Sequence, residues 1–119
     1  MHRVFRSLLV ALLASTALLV AGCSSAPAAD PAAYTAVIDV RTPAEFAESH
    51  VDGAVNIDVQ DPSFDQRIAE LDAAGSYLVY CRSGNRSAQA ASRMEAAGLE
   101  VVDGGGLSDM ESAGWAFVS

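Results

Sequence analysis

Cys81 is the residue in this sequence with the most chemistry open to it. It follows the apolar run Tyr77–Tyr80 and opens the stretch Cys81-Arg82-Ser83-Gly84-Asn85-Arg86-Ser87. A cysteine is a nucleophile only as its thiolate, so its free pKa of about 8.5 must be lowered. The stretch holds several devices for that. Gly84 can take backbone angles closed to other residues, so loop amides can turn inward as an anion-binding nest. Ser87 is placed to cap a following helix, whose N-terminus adds a positive end. Arg82 and Arg86 add full charges. A histidine base would be another activator, but His2 belongs to a leader-like segment. His50 precedes the second strand, at the opposite edge from the loop, and reads as structural. A buried core thiol is the bland alternative for a cysteine ending an apolar strand. Such a residue has no need of two arginines and a glycine turn.

The flanking sequence supplies the elements that must hold this loop. VIDV (37–40) is a β-branched apolar run, and PAEFAES (43–49) has helix-forming composition with Pro43 in its first turn. AVNIDV (54–59) reads as a second strand after the turn signal Asp52-Gly53. Asp61-Pro62 opens another helix, in which Phe64, Ile68 and Leu71 recur at helical spacing. YLVY (77–80) is a third strand, and Ser87–Ala97 a helix ending at Gly98. EVVD (100–103) is a fourth strand. GGG (104–106) breaks the chain before a short amphipathic end with Leu107, Met110 and Trp115. There is no internal repeat.

Strand–helix alternation with short links predicts an α/β fold: a small parallel sheet of about four strands with right-handed crossovers. The expected order is 2-1-3-4, with helices on both faces, because the strands are continuous apolar runs. Ligands in such sheets bind outside the carboxyl ends of the strands, near the switch between strands 1 and 3. Asp39 and Arg41 fall at the end of strand 1 and Cys81 at the end of strand 3. The thiol is therefore expected at the sheet's C-terminal rim, not beneath the helices. Residues 34–119 make a small domain for this architecture, so its stability should be modest.

Residues 1–22 read differently. Arg3 and Arg6 precede an uncharged apolar stretch, and LVAGC (19–23) follows. This resembles the signal peptide and lipobox of bacterial lipoproteins, in which cleavage precedes the cysteine and its thiol carries lipid. Cys23 is thus the expected lipid attachment point. An uncleaved transmembrane anchor is the alternative, but the run dissolves into SSAPAAD before a bilayer's worth of apolar residues. SSAPAADPAA (24–33) is built of small residues and proline and reads, with Cys23, as a flexible tether. About 10 such residues span roughly 18 Å, which would keep the domain near a membrane, outside the cytoplasm, in the periplasm or on the outer cell surface. Losing Arg3 and Arg6 leaves five arginines, no lysine and fifteen acids, a net charge of −10. That balance argues against nucleic acid or anionic lipid as a partner.

IDVRTPAEF (38–46), HVDGAVNI (50–57), YCRSGNRS (80–87) and DGGGL (103–107), in this order, resemble a single-domain rhodanese of the small extracytoplasmic type. The match covers essentially all of 36–112. It implies a sulfurtransferase that needs neither cofactor nor metal. Cys81 would take a sulfane sulfur from a small donor such as thiosulfate, become a persulfide, and pass the sulfur to cyanide or a thiol. The resemblance makes Arg82, Ser83, Gly84, Asn85, Arg86 and Ser87 the sulfur-binding loop. Asp39 and Arg41 become framework charges, with Arg41 pairing Glu45 across one helical turn.

Several residues depart from the family's pattern. The chain has a tether where fuller members have a strand and helix, so one sheet edge should be short or exposed. Ser49 stands where a glycine is usual before His50. Leu107 replaces an aromatic after the glycines, and Trp115 is a candidate to restore the cover. Ser83 and Glu45 occupy positions that are cationic in some thiosulfate-specific members, which lowers the expected affinity for thiosulfate.

Three alternatives stand beside this reading. A phosphatase or arsenate reductase would also use a cysteine–arginine loop. Only four residues separate Cys81 from Arg86, one fewer than in those oxyanion loops, and the smaller ring suits sulfur better than phosphoryl. A non-catalytic persulfide carrier would lack turnover with small acceptors. A Cys23–Cys81 disulfide is permitted by the even count, but lipidation of Cys23 would consume that thiol.

Overall fold

A computed structural model describes residues 28–119. The leader, the lipobox and Cys23 lie outside the described residues. Four strands form one parallel sheet: β1 (Ala36–Asp39), β3 (Val55–Asn56), β4 (Ser76–Tyr80) and β5 (Glu100–Asp103), ordered β3-β1-β4-β5. This is the expected order. Asp39 lies opposite Tyr80 in the register, which brings the ends of β1 and β4 side by side.

Successive strand residues point to opposite faces, and both faces are covered. On one, Ile38, Tyr77 and Val79 pack with Phe64 and Ile68 of α2 (Phe64–Ala69) and with Ala90, Ala91 and Met94 of α3 (Asn85–Ala96). On the other, Val37, Leu78 and Tyr80 meet Phe46 of α1 (Pro43–Glu48), Met110 of α4 (Leu107–Ala113), and Trp115. Each fully buried large side chain contributes about 1.5–3 kcal/mol of transfer free energy.

Helix starts follow from local chemistry. Thr42 and Glu45 form a capping box at α1, with Pro43 in the first turn. The Asp61 carboxylate accepts the Ser63 N–H at 2.7 Å, holding the turn that precedes α2. Gly98 takes φ +86° just past α3, the left-handed position that ends a helix.

Four local expectations need correction. The second strand pairs only at Val55–Asn56 rather than over 54–59. Asn56 turns its side-chain amide onto the carbonyls of Asp39 and Arg41, at 3.0 and 2.8 Å, and the chain leaves the ladder. Ile57 and Val59 go into the core instead, and Val55 is left exposed on a short edge. The α3 helix starts at Asn85, two residues earlier than expected, with Gly84 as its N-cap. A two-stranded antiparallel pair, β2 (His50–Val51) with β6 (Phe117–Val118), was not anticipated. Two-residue strands carry no alternation to read. Finally, residues at the end of the expected tether dock on the domain. The Ala29 N–H donates to the Ala113 carbonyl at 2.9 Å, Pro31–Ala33 form a 3-10 turn capped by Asp30, and Tyr34 lies against Trp115. Trp115 is buried there. No helix among the described residues is long and apolar enough to cross a membrane.

Candidate active site

Cys81 directly follows β4, at the C-terminal rim of the sheet, and residues 81–84 link that strand to α3. The Cys81 N–H donates to the Gly105 carbonyl at 2.9 Å, and the Gly84 N–H donates to Sγ of Cys81 at 3.0 Å. Gly84 has φ +99°, a left-handed conformation that a side chain would oppose. The glycine run buttresses the loop. Gly104 N–H donates to Val79 O, Leu107 N–H donates to Arg82 O, and Ser83 bridges Gly106. A Cβ on Gly106 would stand 2.6 Å from the Arg82 carbonyl oxygen. Only glycine lets the start of α4 lie this close to the cysteine loop.

Ser87 is buried in the first turn of α3 and does not cap it. Its hydroxyl lies 3.0 Å from the Gly84 carbonyl and 3.3 Å from the Gly105 carbonyl, tying helix, loop and glycine run together. Its single proton serves one of these or the Cys81 sulfur at a time. The expected capping role fails because the helix begins before Ser87.

Burial pushes the Cys81 thiol up, but this is outweighed. Hydrogen bonding by Ser87 and by the backbone N–H groups of Ser87, Gly84 and Ser83 holds the thiol below the ordinary cysteine range. Neither arginine, each expected to add its charge to the nest and the helix end, is among the leading causes. Arg86 and the thiolate do attract each other. Arg86, however, is engaged elsewhere: Nη1 and Nη2 donate to Oε1 and Oε2 of Glu45 at 2.7 and 3.0 Å. That pair, with the Thr42 hydroxyl, holds Glu45 down at about 2. Arg82 is exposed, and its side chain makes no hydrogen bond or ion pair among the described residues. Ser83 and Asn85 are exposed beside it. The sulfur itself is at the rim as anticipated, yet Cys81 has 0% exposure, enclosed by its loop and by the core residues it packs with.

Asp39 and Arg41 form the frame next to the loop. Arg41 Nε donates to both Asp39 oxygens at 3.0 Å, and Nη2 donates to Oδ2 at 2.6 Å and to the Ser49 carbonyl at 2.6 Å. The Tyr80 hydroxyl donates to Asp39 at 2.8 Å and accepts the Val51 N–H at 2.9 Å. Burial first, then the Asp39 charge, pushes the Tyr80 hydroxyl well up, so it stays a donor. The expected Arg41–Glu45 pair does not form. Arg41 precedes the N-cap Thr42, so helical i,i+4 geometry does not apply to it. His50 stacks on Phe46 at 3.8 Å and its Nδ1 lies 2.8 Å from the Phe46 carbonyl oxygen, a structural role.

Sequence reasoning missed two members of this arrangement. Glu45 was singled out as a partner for Arg41 and as an acid where some thiosulfate-specific members carry a cation, not as the partner of Arg86. Tyr80 was visible only as a strand residue. Together the loop offers an acidic thiol, inward amides and one unengaged guanidinium, which suits attack on a small electrophile with an anionic leaving group.

The rhodanese-like domain family matches residues 25–109. The thiosulfate sulfurtransferase PspE of Escherichia coli is 35% identical over 74 residues, spanning 61% of this chain and 71% of that protein. The thiosulfate sulfurtransferase GlpE of Pseudomonas putida is 39% identical over 72 residues, spanning 58% of this chain and 64% of that one. A solved structure described as a rhodanese with anions from E. coli superimposes with a TM-score of 0.60 at 32% identity. It covers 71% of this chain and 96% of its own.

Proposed function

We propose that this chain, which belongs to the rhodanese-like domain family and is a sulfurtransferase, carries sulfur as a persulfide on Cys81. The donor is thiosulfate or a related sulfane sulfur, and the acceptor is cyanide or a thiol. The Cys81 thiolate attacks the outer sulfur of thiosulfate; a new S–S bond forms, the old one breaks, and sulfite leaves with the electron pair. The acceptor then attacks the terminal sulfur and returns the thiolate, giving ping-pong kinetics. Arg82 and Arg86 steady the oxyanion, while Ser83, Gly84, Asn85 and Ser87 shape the ring of amides that holds the persulfide. Asp39 and Arg41 keep the neighbouring strand end and α1 in place.

The single observation that carries this reading is the Gly84 N–H on Cys81 Sγ at 3.0 Å, in a loop whose hydrogen bonds hold the thiol low. Steady-state kinetics with thiosulfate and cyanide test it. Parallel double-reciprocal lines are expected, with no turnover in Cys81→Ser, whose hydroxyl cannot hold a transferable sulfur. Full activity in Cys81→Ser would reject it.

The complete burial of Cys81 favours a second reading, a persulfide carrier that releases sulfur only to a docked partner. Turnover with free cyanide or a small thiol would exclude that version.

LVAGC (19–23) supports a further proposal: 1–22 is a lipoprotein signal peptide, Cys23 carries lipid, 23–33 joins the anchor to a domain at 34–119, and the protein works outside the cytoplasm. Cys23→Ser should block processing or release the protein from membranes. Membrane-retained, normally processed C23S protein would end the lipoprotein proposal.

A further inference from the structure

We propose that Glu45 sets which sulfur donors Cys81 accepts. By holding Arg86 in a two-point ion pair, it withholds that guanidinium from anionic donors and disfavours a dianion such as thiosulfate. The donor part rests on the sulfurtransferase reading; the effect of charge on access to Cys81 does not.

Glu45 is fixed before any donor arrives. Its Oε1 accepts from the Thr42 hydroxyl at 3.1 Å, and the Glu45 N–H donates to that hydroxyl in return. Both carboxylate oxygens then engage Arg86, at 2.7 and 3.0 Å. The pair is only partly buried, with 21% and 22% side-chain exposure, so an incoming anion can compete for it. Asp58 is a second acid acting on Arg86. The loop's surroundings therefore set two arginines against two carboxylates and the thiolate. Of these groups, only Arg82 has a side chain without a partner among the described residues. Thiosulfate enters as a dianion and sulfite leaves as one, so an acid that neutralises Arg86 opposes both events, while a donor with less charge is affected less.

The test is Glu45→Gln, which keeps a hydrogen-bonding group for Thr42 and Arg86 but removes the charge. Two readouts are used. The first is KM for thiosulfate, expected to fall by about threefold to fivefold. The second needs no sulfur transfer: the ratio of Cys81 alkylation rates by iodoacetate, an anion, and iodoacetamide, its neutral analogue. In each alkylation an S–C bond forms and iodide leaves. The ratio should rise by a similar factor of about threefold to fivefold, while the iodoacetamide rate itself moves by less than about twofold. Asp58→Asn should raise the ratio in the same direction by less. In an Arg86→Gln background, Glu45→Gln should have a smaller effect, because it relieves only the direct repulsion of a bare carboxylate and no guanidinium remains to release.

An unchanged or lower ratio in Glu45→Gln would overturn the proposal and make Glu45 a mere prop for Arg86. So would a gain that is undiminished in the Arg86→Gln background. A raised ratio with no sulfur transfer from any donor would uphold the electrostatic role of Glu45 and reject the sulfurtransferase reading instead.

Discussion

Asp39–Arg41 and Glu45–Arg86 are both two-point arginine–carboxylate pairs, and both flank the loop of Cys81. Asp39 and Arg41 have side-chain exposures of 0% and 4%, and Tyr80 and the Ser49 carbonyl occupy further hydrogen-bonding positions around them. Among the described residues no buried side-chain nitrogen or oxygen lacks a partner. Glu45 and Arg86 are each about one-fifth exposed, at 22% and 21%, and join α1 to the start of α3. The difference lies in solvation. A sealed pair cannot lose one member without stranding the other charge, so it acts as frame. A partly wet pair can exchange its partner for a ligand at small cost, so it can tune chemistry.

The largest effect should come from breaking the sealed pair. Arg41→Met leaves Asp39 buried and unpaired and is expected to cost about 3–5 kcal/mol, read from urea unfolding. A loss below about 1 kcal/mol would mean the two pairs are energetically alike. Tyr80→Phe removes one donor to Asp39 and the acceptor for Val51 N–H, and should cost about 1–3 kcal/mol. Arg86→Ala should lower stability by less than about 1 kcal/mol. Its kinetic effect should exceed its stability effect, weakening the thiosulfate step more than the acceptor step. It leaves the Glu45 carboxylate facing the loop, so its sign is opposite to that of Glu45→Gln.

Smaller still are the titrations. Ser87→Ala should move the pH midpoint of Cys81 alkylation upward, because Ser87 is foremost among the groups that favour the thiolate. A midpoint that stays in place would move the credit to the loop amides. Glu45 has a folded value of about 2 against an ordinary 4.5. Its depressed value means that its stabilisation is fully present above about 4.5 and is lost as pH falls through about 2. For a pair this exposed the loss is under about 1 kcal/mol, and Glu45→Gln should flatten that part of the stability curve.

The sheet, its order, the helices on both faces and the reactive loop were legible because each rests on local signals. Val37–Val40, Tyr77–Tyr80 and Glu100–Asp103 are short apolar or β-branched runs, and Gly84, Gly98 and Gly104–Gly106 punctuate them. What stayed hidden depends on partners far apart in the chain. Glu45 and Arg86 are 41 residues apart, and no periodicity links them. The i,i+4 rule offered Arg41 as the partner of Glu45, yet Arg41 lies outside the helix and turns to Asp39. The burial of Cys81 was likewise invisible, since it depends on how closely the loop and its glycine buttress fold over the sulfur.

The central claim is that Cys81 carries the sulfur. Intact mass spectrometry of the purified domain, with and without thiosulfate, tests it most directly. The account predicts a gain of one sulfur atom, mapped to Cys81, absent from Cys81→Ser and reversed by cyanide. No gain with any sulfane donor, together with robust phosphatase turnover by the same preparation, would contradict it and leave the loop as an oxyanion cradle for different chemistry.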